Sequence, residues 1–165
     1  MGQDAAMGDA ERAREALDGV RGMFAADRAS RGLGIEVTGL SAGQASVAMT
    51  VTAQMLNGHG SCHGGYVFLL ADTAFSLACN GYGMVTVAAG AEITFVAPVR
   101  EGDRLRAHAR ERTRFGRRGI FDVTVRRDGN DHGDHGDGGG GGDVVAEFRG
   151  HSHATAEPLR PPRDD

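Results

Sequence analysis

One carboxylate stands out by its isolation. Between Glu36 and Glu92 the only formally charged side chain is Asp72, which sits inside the apolar run Tyr66 to Asn80. Just upstream lies a polar, glycine-rich stretch, Asn57-Gly58-His59-Gly60-Ser61-Cys62-His63-Gly64-Gly65. Burying a carboxylate is costly unless it is paired or used, and a used one is a general base or a nucleophile. The residue types leave two readings of Asp72 open. One is such a chemical role; the other is a carboxylate that hydrogen-bonds a loop or a symmetry-related copy. With Val67, Ala71, Ala74 and Ala78 as the apolar stripe of a helix, Asp72 projects off the stripe, near Phe68, Ser76 and Cys79.

The polar stretch offers donors. Glycine at a helix start lets a ligand approach the backbone, and the first N–H groups of a helix have no partner within it. Gly64 and Gly65 are therefore candidates to polarise a carbonyl at the positive end of the helix dipole. Asn57 can supply an amide to a carbonyl or to a water, or close an ordinary Asx turn. His63 is read as lying near a substrate or orienting the loop. His59, Cys62 and His63 have the atom types of a zinc site, but Gly58 and Gly60 argue against the helix that would align them, so no metal is expected.

Spacing adds a constraint. Gly64 and Asp72 are eight positions apart, about 12 Å along a helix. One small reacting carbon cannot touch both on the same chain. A site using both must take Gly64 from one subunit and Asp72 from another, as two antiparallel helices across a two-fold axis would allow.

A third group is basic. Arg104, Arg106, His108, Arg110, Arg112 and Arg114 share parity, which on an unbroken strand puts them on one face, with Leu105, Ala107 and Ala109 opposite. Most of that row reads as a solvated sheet face. Arg114, Arg117 and Arg118, at the turn, are candidates for holding phosphates.

The elements that position these groups follow from periodicity. Ala13, Ala16, Leu17, Val20 and Phe24 predict a helix over 9–27 with Asp9 as its N-cap. Segments 33–40 and 44–52 predict a hairpin, 66–80 the central helix with a glycine stop at Gly81, and 84–97, 103–115, 118–127 and 143–153 four more strands. This order is α+β: an antiparallel β-sheet wrapped around a long central α-helix that is apolar nearly all round. Residues 1–8 and 156–165 read as flexible tails around one domain, 9–155. The Gly/Asp/His-rich segment 128–142 reads as a solvated hairpin-loop insertion, although Asp131, His132, Asp134, His135 and Asp137 have metal-binding side chains.

Composition narrows the classes. A chain of 165 residues makes about one domain, and a formal charge of -4 excludes a strongly basic nucleic-acid binder. All 18 basic residues are arginine. Cys62 and Cys79 would stand about 25 Å apart on a helix, too far for a disulfide, and free thiols suit a cytoplasmic location. No apolar run approaches the ~20 residues of a membrane span, so no membrane partner is expected.

The stretch Asn57-Gly-His-Gly-x-Cys-His-Gly-Gly-x-x-Phe-x-Leu-Ala-Asp72-Thr-Ala-Phe-x-x-Ala-Cys-Asn80 resembles the signature of the PaaI-type acyl-CoA thioesterases. Ala91-Glu92-Ile93-Thr94-Phe95, Pro98, Gly102-Asp103 and Gly116-Arg117-Arg118-Gly119 are also similar to that family. The resemblance covers about residues 20–155. It implies a hotdog fold, a homodimer as the minimal active unit, commonly paired into a homotetramer, and hydrolysis of acyl-CoA thioesters, with aryl-acetyl groups such as phenylacetyl or hydroxyphenylacetyl foremost. Asp72 would be the catalytic carboxylate, Gly64 the backbone donor and Asn57 the amide across the site. Beside these three, the reading of the residues themselves makes His63, Gly65, Thr73, Phe68, Arg117 and Arg118 the candidates for substrate contact. No cofactor is implied beyond the coenzyme A of the substrate. Phe75, Met55 and Leu56 join Phe68 as acyl-pocket candidates. Segment 87–91 lacks the hydroxyl that some relatives carry there, and Thr73 is the candidate replacement. A non-catalytic acyl-CoA-binding module, or a thioesterase for another aryl or medium-chain acyl group, are the alternatives.

Overall fold

The computed structural model describes residues 2–129 and 142–160. The chain runs α1 (Gly2–Ala26), α2 (Arg28–Gly32), β1 (Glu36–Ser41), β2 (Gln44–Thr50), a 3-10 turn at Ala53–Met55, α3 (Gly64–Asn80), β3 (Met84–Phe95), β4 (Arg104–Phe115), β5 (Arg118–Asp128) and β6 (Gly142–Pro158). The strands form one six-stranded sheet in the order β1-β2-β4-β5-β6-β3, antiparallel at every junction.

Period-two alternation places the core. On β4, Leu105, Ala107 and Ala109 are buried; on β5, Phe121, Val123 and Val125 are. These residues face α3, which packs against all six strands. Helix α3 is buried from Val67 to Asn80 except at Phe68, Leu69, Asp72 and Ser76. Phe75 lies at its centre, edge-on to Phe121 at 5.6 Å. A Cβ on Gly150 of β6 would come within 2.6 Å of that Phe75 ring, so this strand position must be glycine for the helix to seat.

Several boundaries differ from the sequence expectation. Helix α1 begins at Gly2, so Asp9 is not its N-cap but pairs with Arg12 one turn on. The strand predicted from Leu33 begins at Glu36, because Leu33 ends α2 and Gly34 takes a φ of 69°. Strand β6 continues to Pro158 instead of giving way to a tail at 156, and Leu159 N–H then donates to the Gly83 carbonyl. The arginine row is broken. The β4–β5 register shifts between Glu111 and Thr113, and Arg114 pairs across from Gly119, which is buried on the inner side. Arg114 is thereby turned away from the row and lies over the Tyr82 ring at 3.7 Å. Asp131, His132, Asp134, His135 and Asp137 lie outside the described residues; the strand ends on either side pair as Asp128 with Gly142.

Strand β3 is an edge, hydrogen-bonded to β6 alone among the described strands. Its outer part is apolar and uncovered: Val87 is 49% and Phe95 54% exposed, and Val96 beyond it 57%. A long apolar edge is a template for pairing with another chain.

Candidate active site

The polar loop is a closed turn. Asn57 N–H donates to the Ser61 carbonyl, Gly60 N–H donates to the Asn57 carbonyl, and Gly60 takes a φ of 76°. The Asn57 side chain holds the turn from within. Its Oδ1 accepts from His59 N–H at 2.8 Å, and its Nδ2 donates to Ser61 Oγ at 3.1 Å. Within one chain Asn57 is thus an Asx-type brace, with one amide hydrogen left over. Cys62 N–H to the Val99 carbonyl and His63 N–H to the Met55 carbonyl tie the turn to the body of the domain.

These bonds deliver the chain to the start of α3. His63 is the N-cap, and its Nδ1 accepts from Gly65 N–H at 3.0 Å. Tyr66 N–H donates to the His63 carbonyl. The second and third amides of the helix are therefore satisfied. The first, on Gly64, has no acceptor among the described residues. A lone N–H at the positive end of a helix dipole is a donor for a carbonyl oxygen or an oxyanion. His63 and Gly65, both expected to touch substrate, are engaged with each other and shape this donor.

Asp72 lies two turns on, in an unbroken helix, so the separation of about 12 Å from Gly64 inferred from spacing holds. The carboxylate is half-buried, and among the described residues it makes no hydrogen bond or ion pair; burial pushes its pKa up. It shares a partly buried stripe of α3 with Phe68, Leu69 and Ser76. Its charge reaches the neighbouring Cys79, whose thiol is pushed up to about 12 chiefly by burial.

Thr73 faces the other way. Its Oγ1 lies 2.8 Å from the Leu69 carbonyl and 2.9 Å from Ser30 Oγ, and Ser30 in turn donates to Asp27. The hydroxyl expected to position water is instead a buried tie between α3 and α2. The sequence holds no signal for this contact, because Ser30 and Thr73 are brought together only by the packing of the two helices. Burial alone would raise Asp27, but hydrogen bonds from Ser30 and from the Ala29 backbone outweigh it and hold that carboxyl below its ordinary value.

Two groups were not read from the sequence. Phe95, the last residue of β3, packs against Gly64 so closely that a Cβ there would be 2.8 Å from its ring. With Gly64, Cys62, Val67, Val99 and Val145 it lines a cleft of about 420 Å³ beside the free N–H. An aromatic residue just before the Pro98 turn was the available clue. Asn80 closes the other end of α3: its amide donates to the Thr86 carbonyl at 2.8 Å and accepts from Thr86 N–H at 2.9 Å. Of the acyl-pocket candidates, Phe75 and Met55 are core residues, whereas Phe68, edge-on to Phe148 at 5.3 Å, and Leu56 are partly exposed.

Arg114, Arg117 and Arg118 do converge, at the mouth of a separate cavity of about 430 Å³ beyond the C-terminal end of α3, floored by Cys79, Thr86 and Phe121. Arg117 Nε donates to the Ala154 carbonyl, which fixes its base while leaving most of its guanidinium exposed.

A six-stranded antiparallel sheet round one central helix is the hotdog fold of the thioesterases. The thioesterase superfamily model matches residues 59–133. Acyl-coenzyme A thioesterase PaaI of Escherichia coli (strain K12) is 40% identical over 139 residues, 84% of this chain and 91% of that protein. The solved structure of E. coli PaaI, from the phenylacetic acid degradation operon, superposes with a TM-score of 0.78 at 38% identity, covering 89% of this chain and 98% of the other. A point-mutant structure of phenylacetic acid degradation protein PaaI from Thermus thermophilus gives 0.67 at 33% identity, covering 77% and 98%. The chain belongs to the thioesterase superfamily, as a PaaI-type acyl-CoA thioesterase. Among the described residues no helix is long and apolar enough to cross a membrane.

Proposed function

We propose that this protein hydrolyses aryl-acetyl-CoA thioesters, of the phenylacetyl or hydroxyphenylacetyl type, in phenylacetate degradation, at sites shared between two copies of the chain. The observation that carries this reading is the pair of unsatisfied groups on α3: the Gly64 N–H and the half-buried carboxylate of Asp72, on one continuous helix. The names borne by the E. coli and Thermus relatives support the acyl class.

In this reading two copies join along the free edge of β3, so that their α3 helices run antiparallel and the stripe bearing Asp72 is covered. Gly64 N–H of one copy donates to the thioester carbonyl oxygen and stabilises the charge that develops on it. Asp72 of the other copy completes the reaction by one of two routes. As a general base it takes a proton from water, whose oxygen bonds to the acyl carbon while the C–S bond breaks and the thiolate leaves as coenzyme A. As a nucleophile its oxygen bonds to the acyl carbon while the C–S bond breaks and the coenzyme A thiolate leaves, giving a mixed anhydride that water then opens. Turnover in 18O-labelled water separates the two: the anhydride route leaves label in the Asp72 carboxylate when water attacks at the aspartyl carbon. The spare amide hydrogen of Asn57 orients the carbonyl or the water. Arg117 and Arg118 hold phosphates of coenzyme A. The reaction needs no metal or further cofactor, and pairs of dimers form the tetramer. Free cysteines suit a cytoplasmic enzyme.

The test is release of free coenzyme A thiol from a panel of aryl and aliphatic acyl-CoAs. Phenylacetyl-CoA and hydroxyphenylacetyl-CoA are expected to be cleaved with the highest kcat/KM. Preference for an aliphatic thioester would overturn the acyl assignment. No release from any member would leave an acyl-CoA-binding module. An active isolated monomer would sink the shared site.

A further inference from the structure

We infer that Phe95 is the residue that selects aromatic acyl groups, by forming the open aromatic wall of the cleft beside Gly64. The inference rests on the reaction proposed above and assigns one half of its substrate to a place in the fold.

A thioester whose carbonyl oxygen sits on the Gly64 N–H has its acyl carbon beside Gly64. Two substituents leave that carbon: the acyl group and the sulfur with its pantetheine arm. The cleft next to Gly64 can take one of them. Its accessible walls are Phe95, Val96, Ala97 and Pro98 over a floor of buried valines, and Ser61 is the one polar side chain of its lining. A pantetheine arm carries two amides, and burying both against this mostly apolar lining would leave them short of hydrogen-bond partners. An apolar acyl group loses nothing there. The acyl group therefore enters the cleft, and the pantetheine arm leaves toward solvent.

Phe95 is the aromatic side chain of this cleft. Its backbone is fixed by its pairing with Ala146, and the next residue, Val96, donates its N–H to the Val145 carbonyl at 2.8 Å. Its ring packs against Gly64, yet the residue is 54% exposed. The ring is thus anchored against Gly64 and, within one chain, leaves part of its surface uncovered beside the cleft, at the point where the acyl substituent starts. Aromatic pairs in offset or edge-on contact gain over an aliphatic partner of equal area. A ring one methylene from the carbonyl is long enough to reach that surface.

The test compares wild type with Phe95→Leu, which keeps an apolar side chain of similar size and removes the ring. Each is assayed with phenylacetyl-CoA and hexanoyl-CoA, with the oligomeric state measured in parallel by sedimentation. The ratio of kcat/KM for phenylacetyl-CoA over hexanoyl-CoA is expected to fall about fivefold in F95L, through KM for the aryl thioester. An unchanged ratio, whether both rates drop together or neither does, overturns the inference and leaves Phe95 a packing residue of the edge strand. Turnover by the wild type reports on the hydrolase reading; the change in ratio reports on Phe95 alone. Should the wild type cleave neither thioester, calorimetric binding of the thioether analogues of both supplies the ratio instead, and an unchanged ratio overturns the inference there too.

Discussion

The ring of Phe95 occupies the space in front of Gly64: a Cβ added at that glycine would lie 2.8 Å from Phe95 Cζ and within 3.3 Å of two further ring carbons. Glycine at this helix start is therefore required by a neighbouring side chain as well as by access to its N–H. Gly64→Ala is expected to cost about 1–3 kcal/mol of stability through overpacking. In a Phe95→Ala background the same change is expected to cost markedly less. Urea denaturation of the four proteins of this cycle measures the coupling; a coupling below about 0.5 kcal/mol would show that the ring is not the constraint.

In the proposed mechanism Asp72 governs the acid side of catalysis. Burial raises its pKa above the ordinary 3.8, and both proposed routes use the ionised form. The kcat/KM of the wild type is expected to fall on acidification with an apparent pKa above the ordinary carboxylate value. Asp72→Asn is expected to lose about 10²–10⁴ in rate. The stability effect has the opposite sign. Between the ordinary value and the raised folded value the native state holds more protons than the unfolded state, so stability contributed by this group falls as pH rises through that window. Above it, Asp72→Asn removes the cost of a buried charge and is expected to match or exceed the wild type in Tm. A folded Asn variant with near-normal turnover would refute the assignment.

Asn80 is expected to be a stability hot spot. Its side chain binds the Ser76 carbonyl and both backbone groups of Thr86, all buried or partly buried. Asn80→Ala strands the Thr86 N–H and carbonyl in the turn from α3 to β3. The expected loss is about 2–3 kcal/mol, read from denaturant unfolding, since an unsatisfied buried polar group costs about 1–3 kcal/mol. A loss under about 0.5 kcal/mol would mean that water replaces the amide.

Neither thiol is expected to react in the native state. Cys79 is pushed up to about 12 chiefly by burial, and Cys62 is raised first by burial and then by the charge of Asp103. Ellman's reagent at about pH 8 is expected to titrate far less than one thiol per chain within minutes, and both in denaturant. Rapid native titration of either would contradict the packing around α3. The result also bears on the coenzyme A release assay, in which the enzyme's own thiols would stay silent.

Much of this molecule is written locally. The alternation Leu105, Ala107, Ala109 sets the inner face of β4, and the apolar run after Gly64 can only be a buried helix, because periods of two and 3.6 residues each fix which side chains share a face. The same arithmetic, eight positions at about 1.5 Å each, separates Gly64 from Asp72 before any fold is known. What periodicity could not supply is contact between residues distant in the chain. The bulge at Arg112 redirects Arg114 to Tyr82, a shift that depends on pairing with β5. Thr73 meets Ser30, and Phe95 meets Gly64, only because helices and sheet close around one core. The sequence alone thus determined the sheet, the helix and the separation of the donor from the carboxylate. Only the tertiary structure decided which helix-start amides are already satisfied and which ring stands beside the one left free, since those depend on what packing brings within a few ångströms.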